Sequence, residues 1–385
     1  ASGSTALSAG FAFSLSRATR RLLVHKVGIL PAPGSGLGTM AKTGQLGRLS
    51  AHLSWYESAF EEGRYFSFLP EREEERWFFR VPGFRNLRFV CRPSGVRGAL
   101  LRPLAEAPLW RDLSVCRAMN LLGAIPALTA KWAFGVPFVV SHGADYEAIA
   151  RVHGRSAMHL RKWGWLRRLV FRSASAVLVS NELLARRLAQ RFPAARIVYH
   201  PNWVDAEMFC PAGKPEAGRV LYVGRLVEEK NLLRLEEAVA GIFGAHLRCI
   251  GEGPFRWALS HGTRGADCPG PIPWERLPEE YRAARCFVLP SLTEGHPKAL
   301  LEAMACGVPV AVSDRVEGVV RHEETGLVFG AEDVAGMRKQ IARLLDDDDL
   351  AAELGTAARR EALARWDAKA LMPREIEIVK EVARI

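Results

Sequence analysis

Short runs that are apolar from end to end alternate with helical patterns along the first half of the sequence. Four such runs occupy residues 27–30, 136–141, 176–180 and 197–199. A strand without alternation of polar and apolar side chains is buried on both faces, which is typical of a parallel sheet covered by helices. The helix after the third run has Ser180 or Asn181 as its N-cap. The first half is therefore predicted to be a doubly wound α/β domain.

The alternation starts again after a segment rich in proline and glycine. Helical patterns in this second part cover about 232–241, 277–284 and 297–305, and strand-like runs lie between them. A chain of 385 residues is long enough for two cores. We predict an α/β protein with two doubly wound domains facing a cleft, residues 1–204 and 205–365. Residues 201–218 would form the hinge, and residues 366–385 a helix that packs back toward the N-terminal domain.

Composition excludes several classes of protein. Apolar residues make up 49% and charged residues 25%, values typical of a globular protein. The longest apolar stretch, residues 119–140, cannot cross a bilayer because Pro126, Lys131 and Pro137 interrupt it. The seven cysteines form neither a Cys-x-x-Cys pair nor a zinc-type cluster, which indicates reduced thiols in the cytoplasm. Residues 1–23 suit either a transit peptide or a tag remnant followed by a basic helix.

Positive charge is concentrated in two parts of the sequence. The net charge is +11, no acidic residue precedes Glu57, and residues 148–181 contain none. The second stretch carries seven basic residues: Arg151, Arg155, Arg161, Lys162, Arg167, Arg168 and Arg172. Combined with Trp163, Trp165 and Phe171, they favour either contact with an anionic membrane or a helix that packs its aromatic rings inward and shows arginine to water. Nucleic-acid binding is not indicated, because the sequence holds no motif for it.

Residues 289–314 place two glutamates in one strand–loop–helix unit. Glu294 lies in the loop after a buried strand, Pro297 suits the first helical position, and Glu302 follows in the helix. The free N–H groups and the dipole at a helix start favour an anion, and Lys298 adds a full charge. Ligands of parallel sheets bind at the carboxyl ends of the strands. This helix start is therefore predicted to bind phosphate and sugar hydroxyls together, as a sugar nucleotide requires.

Residues 294–310, EGHPKALLEAMACGVPV, resemble the signature of glycosyltransferase family 4, in which seven residues separate two glutamates. The family's members are retaining enzymes of the GT-B fold, which consists of two Rossmann-like domains. Other segments agree in order and spacing: SHGADY (141–146), HPNWVDAEMF (200–209), LYVGRLVEEKNL (221–232), IGEGP (250–254) and ETGLVF (324–329). The resemblance covers the chain from residue 136 onward, and the first 135 residues match only loosely. It implies an acceptor-binding N-terminal domain and a C-terminal domain that binds the nucleotide sugar.

The resemblance assigns roles to residues of the donor site. Arg225 and Lys230, which follow the turn at Gly224, would neutralise the donor diphosphate, whose charge grows as the glycosidic bond breaks. Glu302 would accept hydrogen bonds from the ribose hydroxyls. Glu294 would be a catalytic residue beside the sugar, as a stabilising or positioning group rather than a covalent nucleophile.

Further roles fall on the helix start and on the N-terminal domain. The backbone N–H groups of His296 and Lys298 would meet the phosphates or the sugar. His142 would be a catalytic residue across the cleft, although a structural histidine in a glycine loop is the alternative. Gly36 and Gly38 would belong to the acceptor-side loop that approaches the diphosphate closely. No Asp-x-Asp follows a strand, so neither a metal nor a cofactor other than the donor is predicted.

These features predict a retaining glycosyltransferase that moves a hexose from a UDP- or GDP-sugar to a hydroxyl of a glycan or lipid-linked acceptor. It would act without metal in the cytoplasm, and contact with the anionic inner face of the membrane is one of the two alternatives left open for the basic segment. Two alternatives share the fold: a nucleotide-sugar epimerase and a non-catalytic protein that binds sugar nucleotides.

Overall fold

The computed structural model describes residues 25–31, 36–68, 84–91, 96–143, 153–154, 156–263 and 265–384. These residues form two sheets, one of seven strands and one of six. Neighbouring strands are parallel in both sheets. The predicted class, two doubly wound α/β domains, is therefore confirmed.

The N-terminal sheet is built from the first seven strands. These are β1 (Lys26–Leu30), β2 (Glu62–Ser67), β3 (Leu87–Cys91), β4 (Val115–Ala118), β5 (Phe138–His142), β6 (Ala176–Val179) and β7 (Ile197–Tyr199). Their spatial order is β3-β2-β1-β4-β5-β6-β7. The described helices of this domain are α1 (Leu37–Lys42), α2 (Leu46–Ala59), α3 (Val96–Ala105), α4 (Ala107–Trp110), α5 (Ala124–Phe134), α6 (Ala157–Ser173) and α7 (Glu182–Arg191).

The C-terminal sheet repeats the plan with six strands. These are β8 (Arg219–Val223), β9 (His246–Ile250), β10 (Asp267–Gly270), β11 (Cys286–Leu289), β12 (Val310–Ser313) and β13 (Leu327–Phe329), in the order β10-β9-β8-β11-β12-β13. The helices are α8 (Leu232–Ala240), α9 (Arg256–Ser260), α10 (Leu277–Ala283), α11 (Lys298–Ala305), α12 (Val334–Asp346), α13 (Asp348–Trp366) and α14 (Ala368–Ala383). Short 3-10 turns cover Glu228–Lys230 and Trp274–Arg276.

Successive residues of the N-terminal strands pack into two separate cores. On β5, Val139 packs with Val27 and Ile29 on one face of the sheet, whereas Phe138 and Val140 pack on the other face. Side chains alternate between the faces of a strand, so a sheet with a core on each face needs apolar residues at every position. This is the physical reason for the unbroken apolar runs in the sequence.

Residues 42–120 have a mainly helical sequence pattern, yet β2, β3 and β4 lie within that segment. Buried arginines interrupt the apolar pattern that marks a strand. Arg64 on β2 donates hydrogen bonds to Asp112 at 2.5 Å and to Glu62 at 2.8 Å. Arg117 on β4 pairs with a carboxylate of the last helix. A buried charge is tolerated when it is paired in this way.

Two segments cross between the domains side by side. The backbone N–H of Val204 donates to Trp366 O at 2.9 Å, and Ala368 N–H donates to Val204 O at 2.9 Å. Beyond this crossing, α14 packs on the N-terminal sheet, where Met372 and Val379 share a core with residues of β1. No helix in the described part of the chain has the length and apolar character of a membrane span.

Candidate active site

A cleft of about 470 Å³ lies at the carboxyl ends of β8, β9 and β11. Its C-terminal wall includes Gly224, Lys230, Glu294 and Lys298, and its N-terminal wall comes from α1 and α2. Strand ends of a parallel sheet expose backbone N–H groups and loop side chains to a ligand. The structure therefore brings most of the residues expected to bind the donor to one cavity.

The loops after β8 and β9 touch through their backbones. A Cβ on Gly251 would lie 1.9 Å from the carbonyl oxygen of Gly224, and a Cβ on Gly224 would lie 2.6 Å from the hydroxyl of Tyr222. Gly224 N–H donates to Ile250 O at 2.9 Å. Only glycine fits at these two positions, and backbone atoms therefore form this part of the cleft surface.

Lys230 and Glu294 meet directly inside the cleft. Lys230 Nζ lies 2.5 Å from Glu294 Oε1, and both side chains are largely buried. The hydroxyl of Ser291 donates to the same carboxylate oxygen at 2.7 Å, and Ser291 O in turn accepts from the hydroxyl of Ser313 at 2.6 Å. The predicted cation and the predicted sugar-side carboxylate are thus one ion pair, fixed by the end of β12.

Arg225 lines the same cleft but is mostly exposed. Its side chain is 68% exposed and donates to Glu229 Oε1 at 2.8 Å. Glu229 is buried, and its other oxygen lies 3.2 Å from His153 Nε2 of the N-terminal domain. Arg225 is therefore tethered at the rim, within reach of solvent, rather than packed against the helix start.

Glu302 is buried and held by three donors. Trp274 Nε1 donates to Oε1 at 2.9 Å, and Tyr281 OH donates to Oε2 at 3.0 Å. Arg48 of α2 donates to Oε1 from the other domain. This carboxylate was predicted to accept from the ribose hydroxyls, and in the structure an arginine of the N-terminal domain donates to it. Arg48, Trp274 and Tyr281 were missed, because no local motif marks them.

Lys298 begins α11 and lines the cleft beside Arg48. Its side chain is exposed to solvent, while neighbouring protein atoms surround it within the cleft. That enclosure, and secondly the positive charge of Arg48, lower the pKa of Lys298 to about 8. Pro297 is the N-cap of this helix rather than its first residue. The backbone N–H groups of the first helical turn have no partner within the helix and lie at the end of α11 that borders the cleft.

The sequence prediction for His296 concerned its backbone N–H, and its side chain is not part of the cleft lining. Its ring is buried and packs edge-on against Trp366 at 5.4 Å between centroids. Among the described residues neither ring nitrogen has a hydrogen-bond partner. Burial, and then the charge of Arg365, lower the pKa of His296 to about 3. The backbone oxygen of His296 accepts from Asn202 at 2.5 Å, which ties the loop to the hinge.

A second cavity of about 320 Å³ adjoins the cleft on the N-terminal side and shares Arg48 and Lys298 with it. Ser141 and Gly143 line this cavity, whereas His142 is not among its lining residues or those of the cleft. The ring of His142 is buried edge-on against Phe171, 5.3 Å away. Alternation along β5 explains this: Ser141 and His142 face opposite sides of the sheet.

The predicted acceptor-side loop is described only in part. Gly36 is the N-cap of α1 with extended backbone, and Gly38 is buried in that helix. Thr39, Met40 and Thr43 follow and line the cleft. Residues 32–35 and 144–152 lie outside the described residues, so the loop before Gly36 and most of SHGADY have no structural account.

A buried polar network forms the floor of the second cavity. Glu375 of α14 lies 2.9 Å from Arg117 Nη2 and 2.9 Å from His200 Nε2, and it accepts from Tyr56 OH at 2.5 Å. Burial alone would raise the pKa of Glu375, but the charge of Arg117 and the hydrogen bond from His200 hold that pKa well below its ordinary value. His52 is adjacent, and burial lowers its pKa to about 4.

A family model described as Glycosyl transferases group 1 matches residues 217–347. This segment contains every C-terminal residue of the cleft named above. The chain is also 30% identical over 260 residues to the GDP-mannose-dependent alpha-(1-6)-phosphatidylinositol monomannoside mannosyltransferase of Mycobacterium tuberculosis, covering 56% of this chain and 68% of the relative. The chain spans half the length of another curated relative.

Solved structures agree with the architecture over nearly the whole chain. Sucrose-phosphate synthase from Thermosynechococcus elongatus has a TM-score of 0.77 at 18% identity, covering 93% of this chain and 99% of that one. HepE of Anabaena, crystallised in complex with UDP, has a TM-score of 0.73 at 16% identity, covering 92% and 100%. At these identities the likeness concerns the fold, and the predicted GT-B arrangement of two parallel-sheet domains is confirmed.

Proposed function

The chain belongs to the group 1 glycosyl transferases, and on that premise we propose that it moves a hexose from a nucleoside diphosphate sugar to a hydroxyl of a glycan or lipid-linked acceptor. The observation that carries this proposal is the meeting of Lys230, Glu294 and Lys298 at the start of α11, in a cleft between the domains. Cations and a helix start suit the diphosphate, and the carboxylate suits the sugar.

The cationic side of the cleft would lower the barrier to bond cleavage. As the glycosidic bond breaks, negative charge grows on the departing diphosphate, and fixed positive groups stabilise that charge. Lys230 is fixed by Glu294, and Lys298 adds its charge at the start of α11. Arg225 would reach the outer phosphate from the rim, since its side chain is exposed and, among the described residues, paired with Glu229.

Glu294 would position the sugar rather than attack it. Its Oε1 already accepts from Lys230 and Ser291, and a carboxylate paired in this way is a weak nucleophile. We infer a front-face route with retained configuration, in which the departing phosphate takes the proton of the acceptor hydroxyl. The cations in the cleft would replace a divalent metal, so no metal is required in this proposal.

The donor would be a UDP- or GDP-sugar. HepE was crystallised with UDP, and the mannosyltransferase relative is named as GDP-mannose-dependent. Because this relative acts on a phosphatidylinositol mannoside by its name, a lipid-linked acceptor at the cytoplasmic face of a membrane is part of the proposal. The acceptor hydroxyl would enter through the second cavity, which adjoins the cleft at Arg48 and Lys298.

The test is slow hydrolysis of the donor. The protein is incubated with UDP- and GDP-sugars in the presence of a chelator, and release of the nucleoside diphosphate is followed. Release that is lost in Glu294→Ala, and a released sugar whose first NMR spectrum shows the donor's anomeric configuration, support the proposal. Epimerised nucleotide sugar would support an isomerase, and binding of donors without any turnover across acceptors would support a non-catalytic protein.

A further inference from the structure

We propose that the outer face of α3, α5 and α6, called here the three-helix face, docks on an anionic lipid bilayer. This inference extends the proposed function. It rests on the proposed function only where it takes the acceptor to be lipid-linked. Large apolar side chains are exposed on all three helices: Leu100, Leu101 and Leu104 on α3, Trp132 on α5, and Met158 and Trp165 on α6. Trp132 is 59% exposed and Trp165 64%.

These side chains belong to one continuous layer of the molecule. α5 lies between α3 and α6 and packs against both. The inner sides of the three helices contribute Ala99, Ala127 and Val170 to the same core on one face of the N-terminal sheet. Their outer sides therefore form one surface, on the face of the sheet opposite to α14.

The charge on this surface is of one sign. None of the three helices contains an aspartate or glutamate. Four basic side chains of α6 are exposed: Arg161, Lys162, Arg168 and Arg172. Arg167, which the sequence analysis counted with them, is buried and lies over the ring of Phe192. Arg151 and Arg155 lie outside the described residues.

The sequence left two interpretations of α6 open, membrane contact and inward packing of its aromatic rings, and the aromatic residues of α6 do not all follow the same one. Trp163 and Phe171 pack against the core of their own domain, as expected for a helix that packs its aromatic rings inward. Trp165 instead stands in solvent among arginines. A mixed surface of exposed tryptophan, leucine and basic side chains is the composition that binds at the interface of an anionic bilayer.

Other occupants fit this surface less well. A second copy of the chain, related by a twofold axis, would bring the same basic residues face to face. Nucleic acid would satisfy the arginines but leave the leucines of α3 in water. By contrast, the exposed Phe243 and Trp257 of the C-terminal domain are isolated side chains, which are ordinary on a protein surface. Trp257 serves as a control.

The three-helix face also lies close to the cleft. The residues just before α6 approach the donor domain, where His153 lies 3.6 Å from Glu228 and 3.2 Å from Glu229. The N-terminal end of α6, with Met158 and Arg161, is therefore near the rim that carries Arg225. A protein docked by this face would hold the mouth of its cleft near the headgroups, where the hydroxyl of a lipid-linked acceptor lies.

The experiment is co-sedimentation of the full chain with vesicles of phosphatidylcholine alone or mixed with phosphatidylglycerol. We expect binding to the mixed vesicles only, decreasing with salt. Changing Arg161, Lys162, Arg168 and Arg172 together to Gln should lower partitioning by about a hundred- to a thousandfold, given the contribution of each basic residue near an anionic surface. Trp165→Glu should lower it as well.

Matched controls keep the test specific. A variant with Arg276, Arg315, Lys339 and Arg360 changed to Gln loses the same charge from exposed positions of the C-terminal domain, and Trp257→Glu matches Trp165→Glu. Both should bind like the unmodified protein. No binding at low salt, or equal losses in the control variants, overturns the inference. Donor hydrolysis in solution should be the same in every variant as in the unmodified protein. If the unmodified protein itself shows no donor hydrolysis, that result counts against the proposed function and not against membrane docking.

Discussion

Lys230 and Glu294, which are 64 residues apart in the sequence, form an ion pair with Nζ 2.5 Å from Oε1. Lys230 ends the loop after β8 and Glu294 stands in the loop after β11, and these two strands are neighbours in the sheet. The pair therefore joins two adjacent strand ends at the floor of the cleft. It sets the position of both groups toward any ligand that enters.

Replacing Lys230 should abolish most of the donor chemistry. We expect Lys230→Met to lower the rate of nucleoside diphosphate release by about 10²- to 10³-fold, the loss seen when one fixed group that stabilises transition-state charge is removed. The measurement is the initial rate of release at saturating donor. Lys369→Met, at an exposed lysine paired with Glu207, should keep the normal rate. Equal rates in the two variants would contradict the role of Lys230.

Removing Arg48 should strengthen the binding of a nucleoside without phosphates. In the structure Arg48 donates to the carboxylate oxygen of Glu302, and the ribose hydroxyls would compete for that oxygen. We expect Arg48→Met to tighten uridine or guanosine by about three- to tenfold, within the range of the net contribution of one ordinary hydrogen bond. Titration calorimetry measures it. The 2′,3′-dideoxynucleoside lacks the competing hydroxyls and should bind both proteins equally; equal tightening for it would contradict the mechanism.

The affinity for a nucleoside diphosphate should decline in mildly alkaline solution. The pKa of Lys298 is about 8 in the free protein, and a bound diphosphate would raise it. Binding is therefore strongest where Lys298 is already protonated, and it should weaken by up to about tenfold per pH unit as the pH rises through about 8. Lys298→Arg keeps its charge at every such pH and should flatten the profile, whereas Lys339→Arg at an exposed site should not. A flat profile for the unmodified protein would refute the assignment.

Replacing Glu375 should destabilise the N-terminal domain. Glu375→Ala leaves the buried Arg117 without its carboxylate, and breaking a buried pair in this way costs about 3–5 kcal/mol of unfolding free energy. Denaturant titration followed by circular dichroism measures the loss. Glu377→Ala, two residues along the same helix and exposed, should stay within about 0.5 kcal/mol. Similar losses in both variants would mean that the helix, and not the ion pair, is responsible.

The pair of Arg117 and Glu375 should also make the free energy of unfolding decrease in acid. Because the folded pKa of Glu375 lies well below its ordinary value, its stabilising contribution is present above about pH 4.3, the usual glutamate pKa, and is lost as the pH falls through the folded value. Glu375→Gln should therefore show a weaker loss of stability on acidification than the unmodified protein does. An unchanged acid profile in Glu375→Gln would contradict this.

Much of the donor domain could be predicted because its signals are local. The loop with Glu294 and the turn at Gly224 each occupy a few adjacent residues. The same holds in the N-terminal domain for the N-cap at Asn181, whose side chain accepts from Leu184 N–H at 2.9 Å. Arg48 could not be found in this way. Its partner Glu302 lies 254 residues away, and the sequence around Arg48 carries only an ordinary helical pattern.

The N-terminal strands show a second limit of sequence reasoning. β2 and β4 carry Arg64 and Arg117 at buried positions, which a pattern of apolar residues cannot recognise as core. The partners that make these positions tolerable, Asp112 and Glu375, are known only once the chain is folded. His142 was predicted in the loop after a strand, whereas it is the last residue of β5. The face of the sheet to which its ring turns depends on register, which no motif specifies.

The position of α14 bears on the order in which the molecule can be made. A ribosome delivers the seven strands of the first sheet long before it delivers Glu375, so Arg117 emerges without the carboxylate that neutralises it. Until the last helix has left the exit tunnel, that sheet lacks part of its core, including Met372 and Val379. All strands of the donor domain have been synthesised by then, so this domain can fold first. The helix α14 then packs on the N-terminal domain, which was synthesised earlier.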